Sequence, residues 1–189
     1  MKKFILSGLF AFLAIFGYSQ FVIFGAKAGF NLSTVTGNAV IDSKFYPSFH
    51  VGGTANFLLN ENFMIQPEVL YSGKGSKSSD QGTFKYSYIN VPVLLQYKTA
   101  SGFFLEAGPQ IGFLLSSKVK YDNGTNVDIK DYTKSTDYAL VGGIGYKSAM
   151  GIGAGARYDF GFFNIAEAGI IRNKTIMITV FYTFGGAEE

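Results

Sequence analysis

Cysteine is absent from the 189 residues. Disulfides, thiolate metal sites and a cysteine nucleophile are thereby excluded. The single histidine, His50, leaves too few imidazoles for a histidine-based zinc site. Charge is scarce as well. Asp, Glu, Lys and Arg together make up 15% of the chain, against ~25% in an ordinary soluble domain. The net charge of +3 includes Lys2 and Lys3, and without those two it falls to +1. The remaining basic residues are scattered rather than clustered. Neither a nucleic-acid partner nor a cofactor is expected from such a composition. After Gln20, no apolar run approaches the ~20 residues that a membrane-spanning helix needs.

Aromatic residues and glycine are abundant: 20 Phe, 12 Tyr and 24 Gly. That mixture suits many strands that turn tightly and face something apolar. The N-terminus is different. In MKKFILSGLFAFLAIFGYSQ, Lys2 and Lys3 form a positive n-region, and Phe4 to Phe16 an unbroken run of apolar or small residues. Gly17 and Ser19 occupy the −3 and −1 positions of a cleavage site before Gln20. Residues 1–19 are therefore expected to be a cleaved secretory signal peptide, and 20–189 the mature domain.

Beyond Gln20 a period of two recurs, punctuated by turn residues. Eight segments show it, at about 22–33, 48–58, 63–71, 84–98, 103–116, 137–147, 152–160 and 175–184. Each divides into an apolar row and a mixed row, because successive side chains of a strand point to opposite faces. In the first, Val22, Phe24, Ala26, Ala28, Phe30 and Leu32 oppose Ile23, Gly25, Lys27, Gly29, Asn31 and Ser33. In the last, Ile176, Ile178, Val180, Tyr182 and Phe184 oppose Met177, Thr179, Phe181 and Thr183.

Two architectures satisfy this pattern. A soluble lipocalin-like barrel would turn the apolar rows inward. A membrane barrel turns them to lipid and fills its lumen with the mixed rows. Three features favour the membrane barrel. The mixed rows are rich in glycine and poor in the Lys and Glu that coat soluble sheets. Several segments reach the ~9–11 residues of a tilted spanning strand. Tyr and Phe recur near segment ends, where interfacial girdles form. The expected fold is all-β: an eight-stranded antiparallel up-and-down transmembrane barrel. Pro67, Pro92 and Pro109 fall inside segments. Proline cannot donate to a ladder, so each is expected to mark a bulge.

Connections near 59–62, 99–102 and 148–150 are short. Those near 34–47, 73–84, 117–136 and 163–174 are longer and polar, and are the expected contact points for other envelope proteins; membrane lipids are the other expected partner. Short turns face the periplasm in outer-membrane barrels, which would put both termini there.

The stretches FGAKAGFNLS (24–33), FHVGGTANFLLNENFMIQPEVLYSGKG (49–75), YINVPVLLQY (88–97), GFFLEAGPQIGFLLSSK (102–118) and YALVGGIGYKSAMGIGAGARYDFGFFNI (138–165) together carry a likeness. On them the chain resembles the PorT-like outer-membrane β-barrel family of Bacteroidetes-type bacteria. The resemblance implies an exported eight-stranded barrel, and little about activity.

On this register Lys27, Glu68, Glu106, Arg157 and Asp159 all face inward. An eight-stranded barrel has an interior just wide enough for side chains to fill. Unpaired charges there would be costly, so these five are expected to form one lumenal network, with Arg157 and Lys27 meeting Glu68, Glu106 and Asp159. The network implies a polar plug, hence a structural or interaction role; the alternative is a narrow pore for ions or small solutes. An enzyme is not expected. His50, Ser48 and Asp42 lie near one another in sequence, but no nucleophile motif such as G-x-S-x-G accompanies them. The Gly-x-Gly pairs in GGIGYKSAMGIGAG continue the strand alternation instead of opening a helix, which argues against a nucleotide loop.

Overall fold

The computed structural model describes residues 22–37, 43–78, 82–121, 124–165 and 171–184. The expected signal peptide and the tail after Phe184 lie outside the described residues, as does Asp42. Nine strands follow in order: β1 (Val22–Thr36), β2 (Ser43–Leu58), β3 (Phe63–Ser78), β4 (Gly82–Lys98), β5 (Phe103–Lys120), β6 (Asn126–Asp128), β7 (Thr136–Lys147), β8 (Ile152–Gly161) and β9 (Arg172–Thr183). A 3-10 turn at Lys130–Tyr132 separates β6 from β7.

β6 is a three-residue arm on the end of β5. The other eight strands pair antiparallel with their neighbours in sequence, β7 following β5, and β9 returns to pair with β1. The sheet is a closed eight-stranded up-and-down barrel. Closure leaves no edge, so every spanning N–H and C=O has a neighbouring strand to bond. Among the described residues no helix is long and apolar enough to cross a membrane.

The apolar rows point outward. Phe24, Phe30, Val69, Leu105, Ile144, Ile178 and Val180 are exposed, while the alternating Lys27, Asn31, Glu68, Glu106, Val141, Met177 and Thr179 are buried. A soluble lipocalin-like arrangement would show the reverse. Outward aromatic pairs sit at both ends of the wall. Phe63–Tyr97 and Phe103–Tyr146 stand near the short turns, with ring centroids 5.1 and 5.2 Å apart. Phe49–Tyr71 and Tyr138–Phe163 stand towards the long loops, at 5.6 and 5.2 Å. These are the two girdles.

Local chemistry sets the short turns. The Asn60 side-chain oxygen accepts the N–H groups of Asn62 and Phe63 at 3.0 and 2.8 Å. Gly102 and Gly151 close the other two with φ of 92° and 84°, a region that suits a residue without Cβ.

Two sequence expectations need correction. Strands run deep into the segments read as loops: β2 begins at Ser43, and β3 and β4 meet across 79–81 instead of 73–84. Polar and glycine-rich residues end a buried strand, but beyond the bilayer water solvates them and the ladder continues. β5, with 18 residues, is about 60 Å long at ~3.3 Å per residue. β8, with 10, has no such extension.

The prolines are the second correction. Pairing gaps flank Pro67, Pro92 and Pro109, yet the register is the same on either side of each. Each costs ladder bonds without adding a residue. The register shifts lie elsewhere, in β2 between Phe45 and His50, around Pro47, and in β5 at Leu115 opposite Ser87/Tyr88.

If the outer face meets acyl chains, Ile178→Arg destabilises the barrel by ~2–4 kcal/mol, the cost of a cation near the bilayer midplane. Urea unfolding of protein refolded into phospholipid vesicles measures this. An unchanged midpoint, as expected for a water-facing site, would remove lipid from the outer wall.

Candidate functional site

The lumen is filled in three tiers. Nearest the short turns, Phe104 and Phe181 cross it, their ring centroids 5.8 Å apart and edge-to-face. They fit because Gly145 and Gly153 carry no side chain: a Cβ at Gly145 would collide with Phe104, and one at Gly153 with Phe181.

The middle tier is ionic. Arg157 donates from Nη1 and Nη2 to the two oxygens of Glu68, at 2.8 Å each. The same guanidinium reaches Glu106 through Nε and, at 2.9 Å, through Nη2. Lys27 Nζ meets Glu68 Oε1 at 2.7 Å. Gln66 donates to Glu68, and Gln96 to Glu106 at 3.2 Å. All six side chains are buried. Two cations balance two anions, and the amides occupy remaining lone pairs, which is what a buried ionic cluster requires. Arg157 lies on β8 and Glu68 on β3, strands half a turn apart in the ring. The arginine therefore spans the whole lumen. Gly143 lies between Glu106 and Arg157 in the register, and a Cβ there would sit 2.8 Å from both. Its missing side chain opens the path between them. The cavity left beside this cluster is about 30 Å³, room for about two waters.

The third tier lies towards the long loops. Lys74 Nζ is 3.2 Å from Asp137 Oδ2 and 3.6 Å from Asp159 Oδ2. Asn173 donates to Asp137 at 2.9 Å and Gln110 to Asp159 at 3.2 Å. One lysine faces two carboxylates here, and Asn90, Asp137, Asp159 and Asn173 each keep a buried oxygen without a partner among the described residues. Above this tier, Val35, Tyr86, Tyr88, Leu114 and Ile165 form an apolar cap, with Phe84, Ile129 and Ile171 packed against it. Ile129 and Ile165 come from the loops, so the long-loop mouth is covered.

Of the five expected network residues, Lys27, Glu68, Glu106 and Arg157 come together. Asp159 stands apart with Lys74. It lies two residues beyond Arg157 on the same face, about 6.6 Å further along the strand at ~3.3 Å per residue. Lys74 and Asp137 were missed. Lys74 fell in a segment read as loop, although the inward alternation Ser72, Lys74, Ser76 continues through it.

His50 is buried inside the wall. Its Nδ1 pairs with Asn31 Oδ1 at 2.7 Å and its Nε2 with Thr179 Oγ1 at 2.9 Å. Ser48 Oγ donates instead to the Gly73 carbonyl, at 2.7 Å. No hydrogen bond joins Ser48 to His50 among the described residues.

A closed antiparallel barrel with a greasy exterior and a salt-bridged interior defines an integral outer-membrane protein. The chain matches the family described as outer membrane protein beta-barrel domain over residues 18–167, and it belongs to that family. Among solved structures it is similar to Ail, the attachment invasion locus protein of Yersinia pestis, at 14% identity and a TM-score of 0.56, covering 86% of this chain and 98% of that one. It is also similar to Neisserial surface protein A, at 15% identity and a TM-score of 0.62, covering 85% and 97%. At such identities the likeness is one of fold. No curated protein matches the chain.

Within the third tier the lysine and a carboxylate respond oppositely to substitution. Lys74→Met strands two buried carboxylates and costs ~3–5 kcal/mol. Asp159→Asn leaves a neutral Lys74–Asp137 pair and changes stability by under about 1 kcal/mol. Urea titration of both refolded variants checks the contrast, and equal losses would contradict the charge count.

Proposed function

We propose that this protein is a closed outer-membrane barrel that acts through its surfaces, as a structural or interaction component of the envelope, and not as an enzyme or an open channel. One observation carries the reading: Arg157 crosses the lumen from β8 to Glu68 on β3, with Glu106 and Lys27 locked into the same cluster. A gap crossed by a four-bonded guanidinium must break that cluster to conduct. The Phe104–Phe181 pair below and the apolar cap above support closure from both ends. The buried His50, bonded to Asn31 and Thr179, is part of the wall packing in this reading.

Both termini of the barrel lie at the short-turn end, and we place that end in the periplasm, as short turns are in outer-membrane barrels. The long-loop end then faces outward and offers the contact surface for envelope partners. Within the family we place the chain with the PorT-like barrels, on the QPEVLYSGKG and LEAGPQIGFLL stretches.

A narrow cation pore is the competing reading. It draws on the third tier, where two carboxylates face one lysine and oxygens are left unpartnered. Planar bilayers separate the two. The closed barrel gives no unitary current steps, and Arg157→Ala alters stability first. Discrete steps in the wild type whose size changes in Asp137→Asn or Asp159→Asn would establish the pore instead.

A further inference from the structure

Charge on the barrel wall is segregated by direction. All four acidic residues on the eight ring strands, Glu68, Glu106, Asp137 and Asp159, are buried in the lumen. The outward rows carry only cations: Lys44, Lys77, Lys85, Lys118, Lys120, Arg172 and Lys174. Every one lies at the long-loop end, beyond the outward apolar rows. At the short-turn end the strand-borne cations, Lys98 and Lys147, belong to the inward rows. Scattered in sequence, the outward cations become a band once the strands pair.

The register makes the band costly for the protein alone. Lys44 stands directly opposite Lys77, and Lys85 directly opposite Lys118. Thr83 links Lys77 to Lys120 in the same row. Like charges placed opposite in a sheet are destabilising. Lys77, Lys85, Lys118 and Lys120 have no ion pair with a described residue, although Lys85 leans on the Tyr46 ring at 6.0 Å. Among the described residues, only Asp128, on the β6 arm, is an acidic residue paired across from one of them, Lys118. Lys174 lies over the outward Phe160 ring at 5.8 Å, which ties the band to the aromatic girdle below it.

We propose that this band is a docking surface for the phosphate groups of lipid headgroups in the leaflet at the long-loop end. Directly opposite residues have Cβ atoms about 5 Å apart, so the long side chains of Lys44 and Lys77, or of Lys85 and Lys118, can converge on one phosphate, and lysine is a ready phosphate partner. The position fits the occupant. Outward side chains directly above an apolar band and an aromatic girdle meet headgroups, and juxtamembrane lysines are drawn to anionic ones. A bridging phosphate would also relieve the repulsion that the register imposes. The inference rests on the transmembrane reading of the outer wall, and not on whether the lumen conducts.

The test compares wild type with a variant carrying Lys77→Gln, Lys85→Gln, Lys118→Gln and Lys120→Gln, none of which touches the lumenal clusters. Both are reconstituted in phosphatidylcholine nanodiscs containing a phosphorylated glycolipid of the lipid A type, or its dephosphorylated form. Retention of the glycolipid is read by native mass spectrometry after release into detergent. Wild type is expected to retain the phosphorylated lipid at least tenfold better than the variant does, and better than it retains the dephosphorylated form. Equal retention by the two proteins, or indifference to the phosphates, would overturn the proposal. So would equally tight binding of a soluble polyphosphate in detergent, which would mark a free anion as the occupant. Heat-modifiable gel mobility and bilayer conductance on the same samples report separately on barrel closure and on the plug.

Discussion

Backbone hydrogen bonding in hydrocarbon is the constraint from which the structure follows. An N–H or C=O that faces acyl chains has no water to bond, so a sheet that crosses a bilayer must close on itself. Closure with eight strands then fixes a narrow interior. Charged residues facing that interior cannot stay solvated singly, and they are arranged in clusters that reach across it. Arg157 spans from β8 to β3, and Lys74, on β3, meets Asp159 on β8. The ion pairs are thus a consequence of ring closure, and they brace opposite walls.

Glycine makes the interior possible in specific places. Large inward groups need somewhere to go in so narrow a tube, and they lie over positions without a side chain: Phe104 over Gly145, Phe181 over Gly153, and the Arg157–Glu106 contact across Gly143. Where the sequence reads Gly-x-Gly, the wall is thin so that the plug can be thick. The long-loop mouth is closed differently, by apolar residues of strand extensions and loops, as water is near and the loops are free to fold inward.

Much of this was legible in the alternation. The rows separated correctly from Phe24 and Lys27 in β1 to Ile178 and Thr179 in β9, except at Ser116, which the alternation put inward and which the register shift at Leu115 turns outward, with Ser117 taking the inward place. The period of two is the same whether lipid or core lies outside. The alternation alone could not choose the direction. Composition did, through mixed rows of glycine and modest polar residues. Strand ends were misjudged because polarity normally signals a loop, whereas strands that leave a membrane stay paired in water. That error hid Lys74, and with it the third tier. The gathering of Lys44, Lys77, Lys85, Lys118 and Lys120 was invisible for another reason: cross-strand register, which creates it, is not written in any single segment.

Closure, plug and cation band all depend on which medium touches the outward rows. The natural absence of cysteine allows a direct measurement, by single cysteines placed in turn at residues 175 to 180 of β9 and spin-labelled in lipid vesicles. Collision with dissolved oxygen should be high at 176, 178 and 180 and low at 175, 177 and 179, with neither set open to a water-soluble nickel reagent. A flat profile, or nickel access at 176, 178 and 180, would contradict the membrane-facing wall and everything derived from it.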